Sequence, residues 1–110
     1  MYKQGEIVIV PFPFSDLSSV KQRPVLILSK NDDNLKSEDL ITCGITSNMR
    51  DSKYSVLISN ENLIEGSIPV KSRIKIDKIF TVSKNIIKKS LGRIDDSSFK
   101  KVRKEFLELI

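Results

Sequence analysis

The chain has 110 residues, with nineteen Lys plus Arg against fourteen Asp plus Glu, no histidine and one cysteine, for a formal net charge of +5. That length fits one domain with one modest core, expected to span residues 1–110. Without His, and with Cys43 alone, the composition excludes His-dependent acid–base and nucleophile constellations, a zinc centre and an internal disulfide.

The basic balance points to polyanionic partners, or merely to solubility. No basic and apolar leader opens the chain, and no apolar run nears the roughly 18 residues of a membrane span. A cytoplasmic protein with no membrane partner is therefore expected.

In chain order, short β-type runs alternate with turn formers. "EIVIV" (6–10) follows Gly5 and is expected to end at Pro11, with Pro11 and Pro13 stiffening the loop "PFPFSDLSSVKQ" (11–22). "PVLILS" (24–29) is a second strand, nearly all apolar, and "NDDNLKSED" (31–39) reads as a polar loop. "LITCGIT" (40–46) and "YSVLIS" (54–59) are the third and fourth strands, with Cys43 a small core residue. In "SIPVKSRIKI" (67–76), Ile68, Val70, Ser72, Ile74 and Ile76 alternate with Pro69, Lys71, Arg73 and Lys75, which predicts a strand with one wet, basic face. "FTVS" (80–83) and "LGRI" (91–94) are further short strands. At the C-terminus the period changes: Phe99, Val102, Phe106 and Leu109 recur at helical spacing, with Asp95, Asp96 or the serines placed to cap the start. The outer face of that helix carries Lys100, Lys101, Arg103 and Lys104, an ordinary solvated surface. The pattern as a whole predicts a mainly β fold closed by one C-terminal α-helix.

Two features carry candidate chemistry. Phe12 and Phe14 lie in the loop; each either anchors in the core or offers a face for base stacking. Arg23 and Pro24 directly precede an apolar strand, where the Arg either caps the strand by pairing with Asp16 or Glu6, or is held on a rigid support in a cleft.

The segment "GEIVIVPFPFSDLSSVKQRPVLILS" (5–29) resembles the opening of the MazF/PemK (Kid)-type toxins of bacterial toxin–antitoxin modules: a Gly-acidic-apolar strand, a Pro-Phe loop and an Arg-Pro-apolar strand. "CGITSN" (43–48) is similar to the family's apolar strand ending in Thr-Ser. "VKSRIKIDKIFTVSKNIIKKSLGRI" (70–94) is similar to its charged strand and the segments after it. The resemblance implies a small, strongly curved barrel of the Src-homology-3-like, CcdB/PemK type, usually a homodimer. It implies a toxin that inhibits growth and translation as an endoribonuclease (an mRNA interferase), cutting single-stranded RNA at short motifs with no cofactor or metal. The expected reaction is attack of the ribose 2′-OH on the adjacent phosphate, leaving a 2′,3′-cyclic phosphate and a 5′-OH.

The family's central pair falls on Arg23 and Thr46, with Ser47 as a third catalytic candidate. A guanidinium fork matches two phosphate oxygens, and hydroxyls can donate to a third oxygen or orient the nucleophile. Further RNA contacts are expected from Phe12, Phe14, Lys21, Gln22, Asn48, Arg50, Lys71, Arg73 and Lys75. The implied partner besides RNA is a cognate antitoxin with an acidic, partly disordered tail. Two other readings compete: a CcdB-like gyrase inhibitor, which would survive loss of Arg23, and a non-catalytic nucleic-acid-binding barrel, which would bind RNA without cutting it.

Overall fold

The computed structural model describes residues 1–13 and 20–110, with the side chains of Phe12, Pro13 and Val20 left aside. Its elements are β1 (Glu6–Pro13), β2 (Val20–Ile27), α1 (Asn31–Lys36), β3 (Asp39–Thr46), β4 (Ser55–Ile58), β5 (Leu63–Gly66), β6 (Ser72–Ser83), β7 (Lys89–Ile94) and α2 (Asp96–Leu109). The strands form one strongly curved antiparallel sheet in the order β4-β6-β3-β2-β1-β7-β5, a half-barrel that agrees with the mainly β, strongly curved barrel type implied by the resemblance. No helix among the described residues is long and apolar enough to cross a membrane.

The central strands are apolar on both faces because both faces are buried. Ile7, Leu26, Cys43, Ile45, Ile74 and Ile76 form one core, closed by Val102 of α2 with Phe99, Phe106 and Leu109 packed against it. Val8, Val10, Val25, Ile27, Leu40 and Val82 form a second core on the other face, flanked by Tyr2, Phe80 and Ile87. This accounts for the near-continuous apolar runs of β1 and β2, since a strand with one wet face would alternate. The helix face read from Phe99, Val102, Phe106 and Leu109 is the face that packs, and Asp95 caps the helix by accepting from the Ser98 N–H at 2.7 Å.

Several expectations are corrected. Pro11 and Pro13 do not end β1; they pair with Gln22 and Val20. The Ile9 carbonyl accepts from the Lys88 N–H on the β7 side, and Pro11, two residues on, faces that same side beyond Ile9, where the β7 pairing stops. A missing N–H costs nothing on an unpaired edge. Phe12 is thus strand backbone opposite Lys21 rather than loop, and Phe14 lies outside the described residues. The polar segment 31–39 contains the six-residue helix α1, locked by the buried Asn34, whose side-chain amide donates to the Ser29 carbonyl and accepts from its hydroxyl. The strand expected over 67–76 starts only at Ser72 and runs unbroken through "FTVS" to Ser83. Ile68 is buried as expected, but Val70 is 53% exposed because it precedes the ladder that would hold it to the alternation. β5, not anticipated, pairs with β7; its Gly66 has φ +76°, and a Cβ there would meet the Leu91 carbonyl oxygen at 2.0 Å.

Candidate nucleic-acid interface

The second core's face changes character at one end of the sheet. Val25, Arg23 and Lys21 project from β2 on the same side, as do Leu40, Thr42, Gly44 and Thr46 from β3. Val25 opposes Gly44, so the same antiparallel register continued by two residues sets Arg23 opposite Thr46. On β3's other flank Gly44 opposes Lys75 and Thr46 opposes Arg73. The apolar row Val8–Val25 therefore leads into a polar one.

Pro24 opens this end. The Leu28 N–H donates to Ile41 of β3, so residues 24, 26 and 28 address β3. At position 24 there is no N–H to donate, and the β2–β3 ladder stops at Val25. Past that point lies a groove of about 440 Å³, lined by Arg23 and Pro24 of β2, Gly44, Ile45 and Thr46 of β3, Asn48, Arg50 and Ser52 of the loop after it, and Lys75, Lys78 and Phe80 of β6. Among the described residues four cations and no carboxylate line it, which suits an anionic ligand.

Hydrogen bonds fix the rim. The Thr46 hydroxyl accepts from the Asn48 N–H at 3.1 Å, which leaves its own proton to donate. Asn48 Oδ1 in turn accepts from the Arg50 N–H at 3.0 Å. Lys75 Nζ donates to Ser52 Oγ at 2.7 Å and lies 3.9 Å from the Asp77 carboxylate. Arg73 reaches the Met49 carbonyl, Ser55 Oγ and Asp51, the last at 3.5 Å. Tyr54, in the left-handed region at φ 55°, closes that loop onto β4.

Of the expected site residues, Arg23, Thr46, Asn48, Arg50 and Lys75 come together in the groove. Arg73 shares their face but directs its donors at residues 49–55, so it organises the rim rather than lining the groove. Lys21 projects on the Arg23 side beyond the groove, and Gln22 projects to the opposite side; both are exposed. Ser47 is exposed next to Thr46 and is not among the lining residues. Lys71, expected on the basic strand face, precedes β6 and lines a separate cleft with Ser59, Glu61 and Pro69. Glu6 stands opposite Arg93 in the β1–β7 ladder, at the far end of β1, and its carboxylate accepts from the Lys3 N–H. It lies four residues from Val10, the partner of Arg23, roughly 13 Å along the strand, out of reach of an ion pair. Asp16 lies outside the described residues.

Sequence reasoning missed Gly44, Ser52, Lys78 and Phe80. The available signal was Gly44 itself, since a glycine inside an apolar strand marks a bulge or a close approach. Cys43, one residue away, faces the first core; burial, with the nearby Asp77 carboxylate, pushes its thiol up to about 12, so it stays protonated and unreactive.

A seven-stranded half-barrel with a cationic groove at the end of β2 and β3 defines the class. The model of the PemK-like, MazF-like toxins of type II toxin–antitoxin systems matches residues 3–110, and the chain belongs to that family. No curated protein matches the sequence. Among solved structures, an endoribonuclease from a mycobacterial species in complex with its cognate antitoxin is similar at 20% identity, with a TM-score of 0.75 over 98% of this chain and 93% of that one. A chain of MazE–MazF from Deinococcus radiodurans is similar at 17% identity, with a TM-score of 0.79 over 98% and 94%. Mycobacterium tuberculosis toxin MazF-mt6 follows at 18% identity, with a TM-score of 0.70 over 92% and 93%. At these identities the likeness is one of fold.

Proposed function

We propose that this toxin is a sequence-specific endoribonuclease that cuts single-stranded RNA without a metal. The observation that carries the reading is that Arg23 and Thr46 line one groove, which among the described residues carries four cations and no carboxylate. The similar mycobacterial protein, described as an endoribonuclease, supports it through the shared fold.

In the reaction the O2′–P bond forms as the P–O5′ bond breaks, leaving a 2′,3′-cyclic phosphate. Charge builds on the non-bridging oxygens, where the Arg23 guanidinium presents paired donors in a fixed plane. The Thr46 hydroxyl, its lone pair occupied by Asn48, donates its proton to a phosphate oxygen or orients the 2′-OH. Ser47, next in the chain, has a lesser, outer part. With no His in the chain, and Arg holding its proton, the 2′-OH proton passes to a phosphate oxygen or water, and the departing 5′ oxygen is protonated from solvent. Arg50, Lys75 and Lys78 hold flanking phosphates, which gives affinity but not sequence choice.

The same cationic groove suits an acidic, partly disordered antitoxin segment that folds as it binds and excludes RNA. The test is incubation of antitoxin-free protein with a long, sequence-diverse single-stranded RNA in EDTA, beside Arg23→Ala, with both product ends mapped. Discrete cuts bearing cyclic phosphate and 5′-OH, lost in the variant, are expected. RNA bound but uncut would move the reading to a binding barrel, and strict EDTA sensitivity would sink the metal-free chemistry.

A further inference from the structure

We propose that Ser55, a neutral side chain outside the groove, is a positioning residue for RNA cleavage: its hydroxyl locks the loop 47–54 onto β6 and thereby sets the Thr46 hydroxyl and Arg50. The inference rests on the ribonuclease reading and adds a residue that acts through the loop.

The loop joins β3 to β4 and brings Asn48, Arg50 and Ser52 to the groove. Its own side chains give it little apolar anchorage. Residues 47–51 and Lys53 are exposed, Ser52 is half-buried, and Tyr54, at the end of the loop, packs against the first core. A segment with few buried apolar contacts opens readily, so hydrogen bonds decide where it stands.

Those bonds converge on Ser55, the first residue of β4. Its hydroxyl donates to the Ser52 carbonyl at 2.7 Å and accepts from Arg73 Nη1 at 3.3 Å. One hydroxyl serves both because it has a proton to give and lone pairs to receive with. Lys75 holds the same Ser52 through its Oγ at 2.7 Å. Arg73 reaches further into the loop, to the Met49 carbonyl at 3.4 Å and the Asp51 carboxylate at 3.5 Å. Asp51 is 89% exposed, so that ion pair adds little, and the short bonds at Ser52 are the stronger hold. The base is rigid: Ser55 stands opposite Lys75 at the end of the β4–β6 ladder, just before β6 bulges between Lys75 and Ile79.

From Ser52 the constraint runs back to the reacting end. The Arg50 N–H donates to Asn48 Oδ1, and the Asn48 N–H donates to the Thr46 hydroxyl. Release at Ser52 loosens this turn, moves Arg50 and lets the Thr46 hydroxyl rotate. Ser55 carries no charge and is not among the described residues that line the groove, so removing its hydroxyl leaves the groove's own donors in place.

The test compares Ser55→Ala with Ser55→Thr, which keeps a hydroxyl and suits a strand. Cleavage of the long single-stranded RNA is read in single turnover at its mapped cuts. Binding is read by fluorescence anisotropy on a short RNA spanning one cut, made uncuttable by a 2′-deoxyribose at the scissile position. Ser55→Ala is expected to cut on the order of tenfold more slowly while binding within about twofold of wild type, and Ser55→Thr to restore the rate. In a Thr46→Val background, where the positioned hydroxyl is gone, Ser55→Ala is expected to cost less than about threefold more. Without RNA, the Asn48 and Arg50 amides are expected to exchange hydrogen on the order of tenfold faster in Ser55→Ala. A wild-type rate in Ser55→Ala, a slowed rate that Ser55→Thr does not restore, a full tenfold loss on top of Thr46→Val, or unchanged amide exchange overturns the positioning role. If wild type cuts no RNA, the ribonuclease reading fails by itself and amide exchange alone judges the lock, faster exchange keeping it and unchanged exchange overturning it.

Discussion

At Arg23-Pro24 two neighbouring residues do complementary jobs. Pro24 withholds the N–H that would continue the ladder to β3, and Arg23 stands in the opening this leaves. Pro24→Ala restores a donor facing β3, so β2 and β3 are expected to pair further and narrow the groove. RNA cleavage then falls while thermal stability holds or rises, and the residue-24 amide becomes protected in hydrogen exchange; an unprotected amide with full activity would refute this account. Thr46→Val keeps the shape of a β-branched residue but removes the hydroxyl that Asn48 orients. A loss of roughly a hundredfold in cleavage rate, with binding of uncuttable RNA nearly unchanged, is expected, as for removal of one preorganised donor.

At the scale of elements, ends and crossings hold the sheet and its helix in place. Asp95 caps α2, and hydrogen bonds from the Ser98 side chain and backbone, together with Lys101, hold its carboxyl below the usual range. A depressed carboxyl stabilises the fold above its unfolded value of about 3.9, and that contribution is lost as pH falls through the lower folded value. Asp95→Ala is expected to cost about 1 kcal/mol at pH 7, with Asp95→Asn closer to wild type. In denaturant titrations the gap between wild type and Asp95→Ala should close as the solution is acidified below about pH 4; a gap independent of pH would argue against the charged cap. β5 depends on Gly66, where left-handed backbone meets the Leu91 carbonyl. Gly66→Ala is expected to destabilise by about 2 kcal/mol or more, from strain plus backbone displacement. Unfolding midpoints measure it, and wild-type stability would mean β5 does not pair with β7 as described.

For the whole molecule, the sheet separates binding from closure: α2 seals one core, and the groove extends from the other. If three or four groove cations each neutralise one RNA phosphate, log K against log salt should fall with a slope of about −2 to −3, and Arg50→Ala should flatten it by about 0.7. A slope unchanged by Arg50→Ala would take that residue off the RNA path. Leu107 of α2 and Ile110 just beyond it are 61% and 82% exposed, away from both cores.

The apolar runs, the change of period at Asp95 and the Arg-Pro and Thr-Ser pairs were local patterns, so the sequence by itself determined the mainly β class, the closing helix and half of the groove. Arg23 and Thr46 could be named through the resemblance to the toxin family, Asn48 and Arg50 because they follow the Thr-Ser pair, and Lys75 because it lies on the basic face of an alternating run. The reach of β1 past Pro11, the late start of β6 and the pairing of β5 depended on which edges other strands leave open, which no local period encodes. Lys71 and Val70 fell out of the expected alternation for the same reason. Lys78, Phe80 and Ser52 entered the groove only through the β6 bulge and the loop closed at Tyr54, contacts between segments distant in the chain. Side-chain period is a property of one strand; register, and therefore the site, is a property of two.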